Sequence, residues 1–195
     1  MGVIVLGLDT GLANTGWCVA SMGASTLTVI EMGVISSESN AKKQNIRAGD
    51  DDWARSIAIC KELLRVVGKH HPKAITCEAI SHVRNSAAMA KIGRVFGIGA
   101  ALSAFYDLPT LHATPRDIKL GVCKNLKADK LEIANALDQL FAGRPRQLLE
   151  ELGVKRSSKN DNNIGRQEHG YDALASIVVN LDHDLMRALR QGVAC

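Results

Sequence analysis

The chain lacks several signals that would narrow its class at once. Its five cysteines (Cys18, Cys60, Cys77, Cys123 and Cys195) are odd in number, widely spaced and never form a C-x-x-C pair. That excludes the usual signatures of a structural zinc site and of a redox dithiol. Cys18 and Cys77 fall inside apolar runs, where cysteine serves as a small hydrophobe, and all five are expected as reduced thiols. No stretch approaches the roughly 20 apolar residues of a membrane span. The chain opens on a strand-like run without the basic segment of a signal peptide. A soluble, cytoplasmic protein with no membrane partner is therefore expected. With no internal repeat and no linker-like composition, the 195 residues are expected to form one domain.

What is present is an ordinary globular composition. Hydrophobic residues make up 46% and charged residues 23%, which rules out global disorder. The formal charge of +4 suits a polyanionic partner without specifying one.

The first third reads as β-structure. Residues 3–9 form a near-continuous apolar run, as in a central strand buried on both faces. Residues 15–21 and 26–35 follow through short turns, so the three form an antiparallel meander. Residues 36–50 are polar and predict a mobile surface loop. From Asp51 to Lys69 apolar residues recur at three and four (Trp53, Ile57, Cys60, Leu63, Leu64, Val67), predicting a helix with one buried face. Trp53 is assigned to the core or to a subunit interface. A fourth strand spans 73–80, a long helix 83–106, and a fifth strand 108–113. The glycines of the long helix (Gly93, Gly97, Gly99) suit close approach to a sheet. Thr114-Pro115 opens a helix, another follows Lys127, a short one surrounds 147–152, and the last covers 170–190. Residues 153–167 are polar and predicted flexible. The fold class is α/β: a mixed five-stranded sheet, antiparallel meander plus parallel strands, flanked by helices.

Three acidic residues stand where rigid backbone would hold them. Asp9 ends the first strand, V-I-V-L-G-L-D, ahead of a glycine-marked turn and a second strand. Glu78 ends A-I-T-C-E, and Asp172 lies at the start of an apolar helix. An Asp after a buried strand is commonly only a turn residue, but carboxylates recurring at element ends are costly to bury without a counter-ion. Three on separate elements read as a divalent-metal site, and Mg²⁺ requires such oxygen ligands. His169 is three residues before Asp172, on the same helix face, and imidazole also suits Mn²⁺. The remaining histidines have ordinary readings: His70-His71 ends a helix and His183 sits on an exposed helix face.

The motifs G-L-D-T-G-L-A-N-T-G-W, I-T-C-E-A-I, R-N-S-A-A-M-A-K-I-G-R-V-F-G and H-G-Y-D-A-L-A occur in that order over nearly the whole chain. In content and order they resemble the RuvC-type Holliday junction resolvases, a branch of the ribonuclease H-like nucleases. The resemblance implies that Asp9, Glu78, His169 and Asp172 are catalytic and hold two Mg²⁺ or Mn²⁺ ions, which hydrolyse a phosphodiester and leave 5′-phosphate ends. It implies branched DNA, the four-way junction, as substrate. Symmetric cutting implies a C2 homodimer, with the helix 83–106 as its interface. Residues 114–130 are similar to the family's basic segment and carry Arg116, Lys119, Lys124, Lys127 and Lys130 against Asp117 and Asp129. With Arg84 and Asn85 they are the expected DNA contacts, and such a patch makes affinity fall with salt. The basic run 155–159 is read equally as a solvated loop or a contact.

Two departures stand out. Ser81 occupies the place where many members carry an aromatic wedge, and residues 142–167 are longer than expected. Ser81 keeps a second function open, a relaxed flap, fork or three-way-junction endonuclease. A non-catalytic junction-binding protein is opposed by the four filled ligand positions. An actin-like ATPase shares the D-x-G turn but needs a second domain. Cleavage is expected to fall as pH drops toward about 6.5, where an unperturbed His169 protonates.

Overall fold

The computed structural model describes residues 2–39, 45–80, 85–154 and 164–192. Five strands, β1 (Val3–Asp9), β2 (Asn14–Met22), β3 (Leu27–Ser36), β4 (Ala74–Glu78) and β5 (Thr110–Ala113), form one sheet in the order β3-β2-β1-β4-β5. The meander pairs antiparallel, while β1–β4 and β4–β5 pair parallel. Among the described residues seven helices accompany it: α1 (Ala48–His70), α2 (Ser86–Tyr106), α3 (Pro115–Cys123), α4 (Lys130–Leu140), α5 (Arg144–Glu151), α6 (Gln167–Asn180) and α7 (Asp184–Arg190). The expected architecture is the one observed.

Side chains alternate across a strand, and here the alternation sorts two cores. Leu6 and Leu8 of β1 with Trp17 and Val19 of β2 face α1 and α2, packing on Ile59, Leu63, Val95 and Leu102. Val5, Cys18, Ala20 and Ala74 lie on the opposite face against Ala173, Leu174 and Ile177 of α6. Truncating a side chain such as Leu63, fully buried, to alanine would cost about 2–5 kcal/mol. Asp9 shares its side of β1 with Val5 and Gly7, and Glu78 shares its side of β4 with Ala74 and Thr76. Strand period alone therefore turns both carboxylates toward α6.

Helix α6 lies directly on the sheet because glycine lets it. A Cβ at Gly7 would collide with the Ala173 carbonyl oxygen, and one at Gly16 with that of His169. The helix is also pinned by polar contacts. The Thr76 and Ser176 hydroxyls meet at 2.8 Å in the core, and the buried Tyr171 hydroxyl donates to Asp138 at 2.9 Å. Asp138 in turn pairs with Arg146 of α5 at 2.6 Å.

Several expectations are corrected. The last helix is two: His183 takes extended backbone and accepts from the Leu185 N–H as the N-cap of α7, which breaks the run expected over 170–190. Helix α1 buries Ile59, Leu63, Val66 and Val67, whereas Trp53 is 68% exposed and Ile57 and Leu64 are exposed too. The face is rotated because Asp51 and Asp52 turn inward to ion-pair with Arg55, and Asp52 with Arg94. A Cβ at Gly93 or Gly97 would meet nothing within 4 Å; only Gly99 approaches the sheet, at Leu8. Contrary to the reading that no stretch is long enough, α2 has the length and composition of a membrane-crossing helix. It nevertheless packs on the sheet through Val95 and Leu102. His70 ends α1 as expected and contacts Glu31 at 2.6 Å. Cys18, Cys60, Cys77 and Cys123 are free. Within 36–50, Ser37 and Ser39 are anchored by hydrogen bonds. Residues 40–44, Ser81 and Arg84, the basic run 155–159 and Cys195 lie outside the described residues.

Candidate metal centre

Asp9, Glu78 and Asp172 meet where β1 and β4 end beneath the first turns of α6. One carboxylate oxygen from each lies within 4.8 Å of the others. Asp9 arrives at the last pair of the β1–β2 ladder, opposite Gly16. Glu78 occupies the matching position on the parallel strand β4, paired with Ala113. Asp172, its side chain only 4% exposed, descends from α6. Each carboxylate is thus set by a regular element.

The environment opposes three negative charges. Burial, then the neighbouring Asp172 and Asp9 carboxylates, push the Glu78 pKa up to about 7. Burial likewise raises Asp172, against the Lys130 ammonium that lowers it. Two basic side chains face the carboxylates. Lys130 Nζ is hydrogen-bonded to Asp172 Oδ2, and His169 Nδ1 lies 2.7 Å from Asp9 Oδ2. Burial works against the protonated imidazole of His169, but the Asp9 contact together with the Glu168 and Asp172 charges outweighs it and raises its pKa from 6.5.

Clustered oxygens whose mutual repulsion is only partly neutralised are the donor set that a hard divalent cation satisfies. The three carboxylates fit Mg²⁺ or Mn²⁺. His169 adjoins the trio through Asp9, with its other nitrogen 3.7 Å from Glu168.

Beside the carboxylates a cleft of about 240 Å³ is lined by Glu78, Asp172, Lys119, Lys130, Asp129 and Pro115. The basic segment thus adjoins the site. Arg116 and Lys119 lie on α3, whose start is a capping box of Thr114 and Asp117 with proline at its opening. Lys124 is the left-handed C-cap of α3 and donates to the Gly121 carbonyl. Lys127 is exposed in the following connection. Lys130 differs from a simple phosphate contact because its ammonium is engaged with Asp172. Asn85 is an N-cap, its Oδ1 accepting from Ala87 and Ala88 N–H. The Lys130 role was not legible: Lys130 and Asp172 are 42 residues apart, so no local spacing couples them.

The sheet order and the convergence of carboxylates from β1, β4 and α6 are those of the ribonuclease H-like class. Within it the chain belongs to the RuvC family: residues 5–145 match the family described as crossover junction endodeoxyribonuclease RuvC. It is 26% identical over 98% of its length to the crossover junction endodeoxyribonuclease RuvC of Oleidesulfovibrio alaskensis, covering 98% of that protein. It is 30% identical to that of Parvibaculum lavamentivorans over 71% of this chain and 74% of the relative. Among solved structures it superposes on T. thermophilus RuvC in complex with Holliday junction substrate with a TM-score of 0.67, covering 98% of both chains at 19% identity.

Proposed function

We propose that this protein is a single-domain, cytoplasmic, metal-dependent endonuclease that resolves four-way DNA junctions by paired symmetric nicks. The observation that carries the reading is the carboxylate trio of Asp9, Glu78 and Asp172, built from three elements in a chain of the RuvC family. With His169 these residues would hold two Mg²⁺ or Mn²⁺ ions. Divalent ions so held polarise a phosphodiester and generate a nucleophilic water at neutral pH.

The chain's own residues prepare that chemistry. Asp9 and Glu78 hold their oxygens on fixed strand ends. Lys130 neutralises Asp172 until a cation enters, and His169 holds Asp9 in one orientation. Arg116, Lys119, Lys124 and Lys127 would contact phosphates flanking the cleft, with Arg84 as a further contact.

Exposed apolar groups support the homodimer. Among the described residues of α2 only Val95 and Leu102 are buried, and Phe105 is 81% exposed, with Met89 and Tyr106 also exposed. A second copy seated on α2 would cover them and supply the second active site that paired cutting needs.

The test is a denaturing-gel assay offering a four-way junction, a three-way junction, a flap and linear duplex in Mg²⁺ and in Mn²⁺. Paired nicks confined to the four-way junction support the proposal. Cutting spread over all branched forms would replace it with the relaxed endonuclease that Ser81 suggests, and binding without cutting would leave an architectural protein.

A further inference from the structure

The turn that carries the chain away from Asp9 is held almost entirely from outside. Its three successive carbonyls accept from donors elsewhere: Gly11 from the Thr15 hydroxyl at 2.7 Å, Leu12 from Arg55 Nη2 at 3.3 Å and from the Ser37 hydroxyl, and Ala13 from the Ser37 N–H at 2.8 Å. Arg55 is the hub. Its guanidinium, 11% exposed, also donates to Ser37 Oγ at 3.0 Å and to the Ser37 carbonyl at 2.9 Å. Only a guanidinium offers enough donors in a fixed fork to serve two carbonyls and a hydroxyl together.

The same group faces two buried acids on its own helix, Asp52 at 3.5 Å and Asp51 at 3.6 Å. Asp52 is held from the other side by Arg94 at 3.0 Å, with Lys91 at 4.0 Å, both on α2. That helix follows Glu78 in the chain. One chain of contacts therefore runs from the exit of Asp9, through Ser37, Arg55 and Asp52, to the helix beyond Glu78. A hydrophobic contact would serve as well for stability, because replacing buried ion pairs by apolar groups is often neutral or stabilising. What an apolar contact would not supply is a fixed direction for each of these carbonyls.

We infer that Arg55 is a positioning residue for the metal centre, fixing the turn after Asp9 and tying it to the helix that follows Glu78. The inference rests on the proposed metal centre. Arg55→Lys keeps the charge but loses the fork; Ser37→Ala leaves Arg55 intact and removes its hydroxyl partner. The intact protein and both variants are titrated with Mn²⁺ without DNA, following the loss of the free-ion paramagnetic resonance signal. Junction affinity in EDTA and thermal midpoint are measured alongside. Loss of a group hydrogen-bonded directly to a metal ligand typically weakens metal binding about 10–100-fold. Arg55 acts one step further out, through the Leu12 carbonyl, so a weakening at the lower end of that range, about 10-fold, is expected for Arg55→Lys, with a smaller one in the same direction for Ser37→Ala. Junction affinity in EDTA stays unchanged in both. A lowered thermal midpoint with unaltered Mn²⁺ affinity in a folded variant would reduce Arg55 to a structural role and overturn the inference. If Arg55→Lys does not fold, Ser37→Ala decides by the same criterion. Failure of the unaltered protein to bind Mn²⁺ would instead overturn the metal centre itself, and this inference with it.

Discussion

Replacing Glu78 by glutamine should make the metal-free protein more stable at pH 8, although it destroys a proposed ligand. The structure raises the Glu78 pKa from 4.5 to about 7, through burial and through the Asp172 and Asp9 carboxylates. A folded-state pKa above the ordinary value means the folded chain binds the proton more tightly than the unfolded one. Its stabilising contribution is complete below about pH 4.5 and lost as pH rises through about 7. At 1.36 kcal/mol per pH unit the difference approaches about 3 kcal/mol, a ceiling because the side chain retains some contact with water. For a chain of this size that corresponds to roughly 6–12 °C in the melting midpoint. Glutamine keeps the shape and carries no charge, so Glu78→Gln should melt higher than the unaltered protein at pH 8 in EDTA. At pH 4, below the ordinary carboxyl value of 4.5, Glu78 is protonated in both folded and unfolded chains and the two should converge. Excess Mg²⁺ should raise the unaltered protein's midpoint at pH 8 more than the variant's, because the ion stabilises the charged trio. A Glu78→Gln protein that melts no higher at pH 8 in EDTA, or a gap that persists undiminished at pH 4, would refute the electrostatic argument.

Other expectations follow from the same geometry. Gly16→Ala would drive a methyl group into the His169 carbonyl oxygen; displacing the start of α6 by about 1 Å should lower cleavage about 100-fold, measured as single-turnover rate in a protein with intact circular dichroism. His169 has its pKa raised by Asp9 despite burial, so the acid limb of the cleavage rate should lie above pH 6.5 and move to lower pH in His169→Asp. Lys130→Met leaves Asp172 without its ammonium partner, so its midpoint should fall in EDTA and its gain on adding Mg²⁺ should exceed that of the unaltered protein.

What was legible in the sequence was whatever depends on local pattern. The strands β1 and β4 are apolar runs buried along most of their length, which makes them unambiguous, whereas the short, half-exposed β5 was marked mainly by the Thr114-Pro115 helix start that follows it. Asp9, Glu78 and Asp172 were legible because each sits at the end or start of a regular element, where a charge has no local reason to be buried. His169 was singled out by the resemblance of H-G-Y-D-A-L-A to the family motif, together with its helical spacing to Asp172. Contacts between distant elements were not legible. The inward turn of Asp51 and Asp52 exists only because Arg55 and Arg94 meet them in the fold, and that turn is why Trp53 faces solvent. The pairing of Lys130 with Asp172 is of the same kind: spacing marked a basic stretch, and only the packing of α4 near α6 separates one lysine from its neighbours. The break at 181–183 hid inside an apolar periodicity that continues on both sides of it, and the polar Asp182-His183-Asp184 was the available signal.

Asp9, Glu78 and Asp172 together are held to form one divalent-cation centre. The most direct measurement is an anomalous difference map from crystals soaked in Mn²⁺, with Asp9→Asn crystals soaked in parallel. The account predicts density between the three carboxylates that is lost or strongly weakened in Asp9→Asn. A protein that cleaves junctions in Mn²⁺ while its crystals show no density there, or density only at other residues, would contradict it.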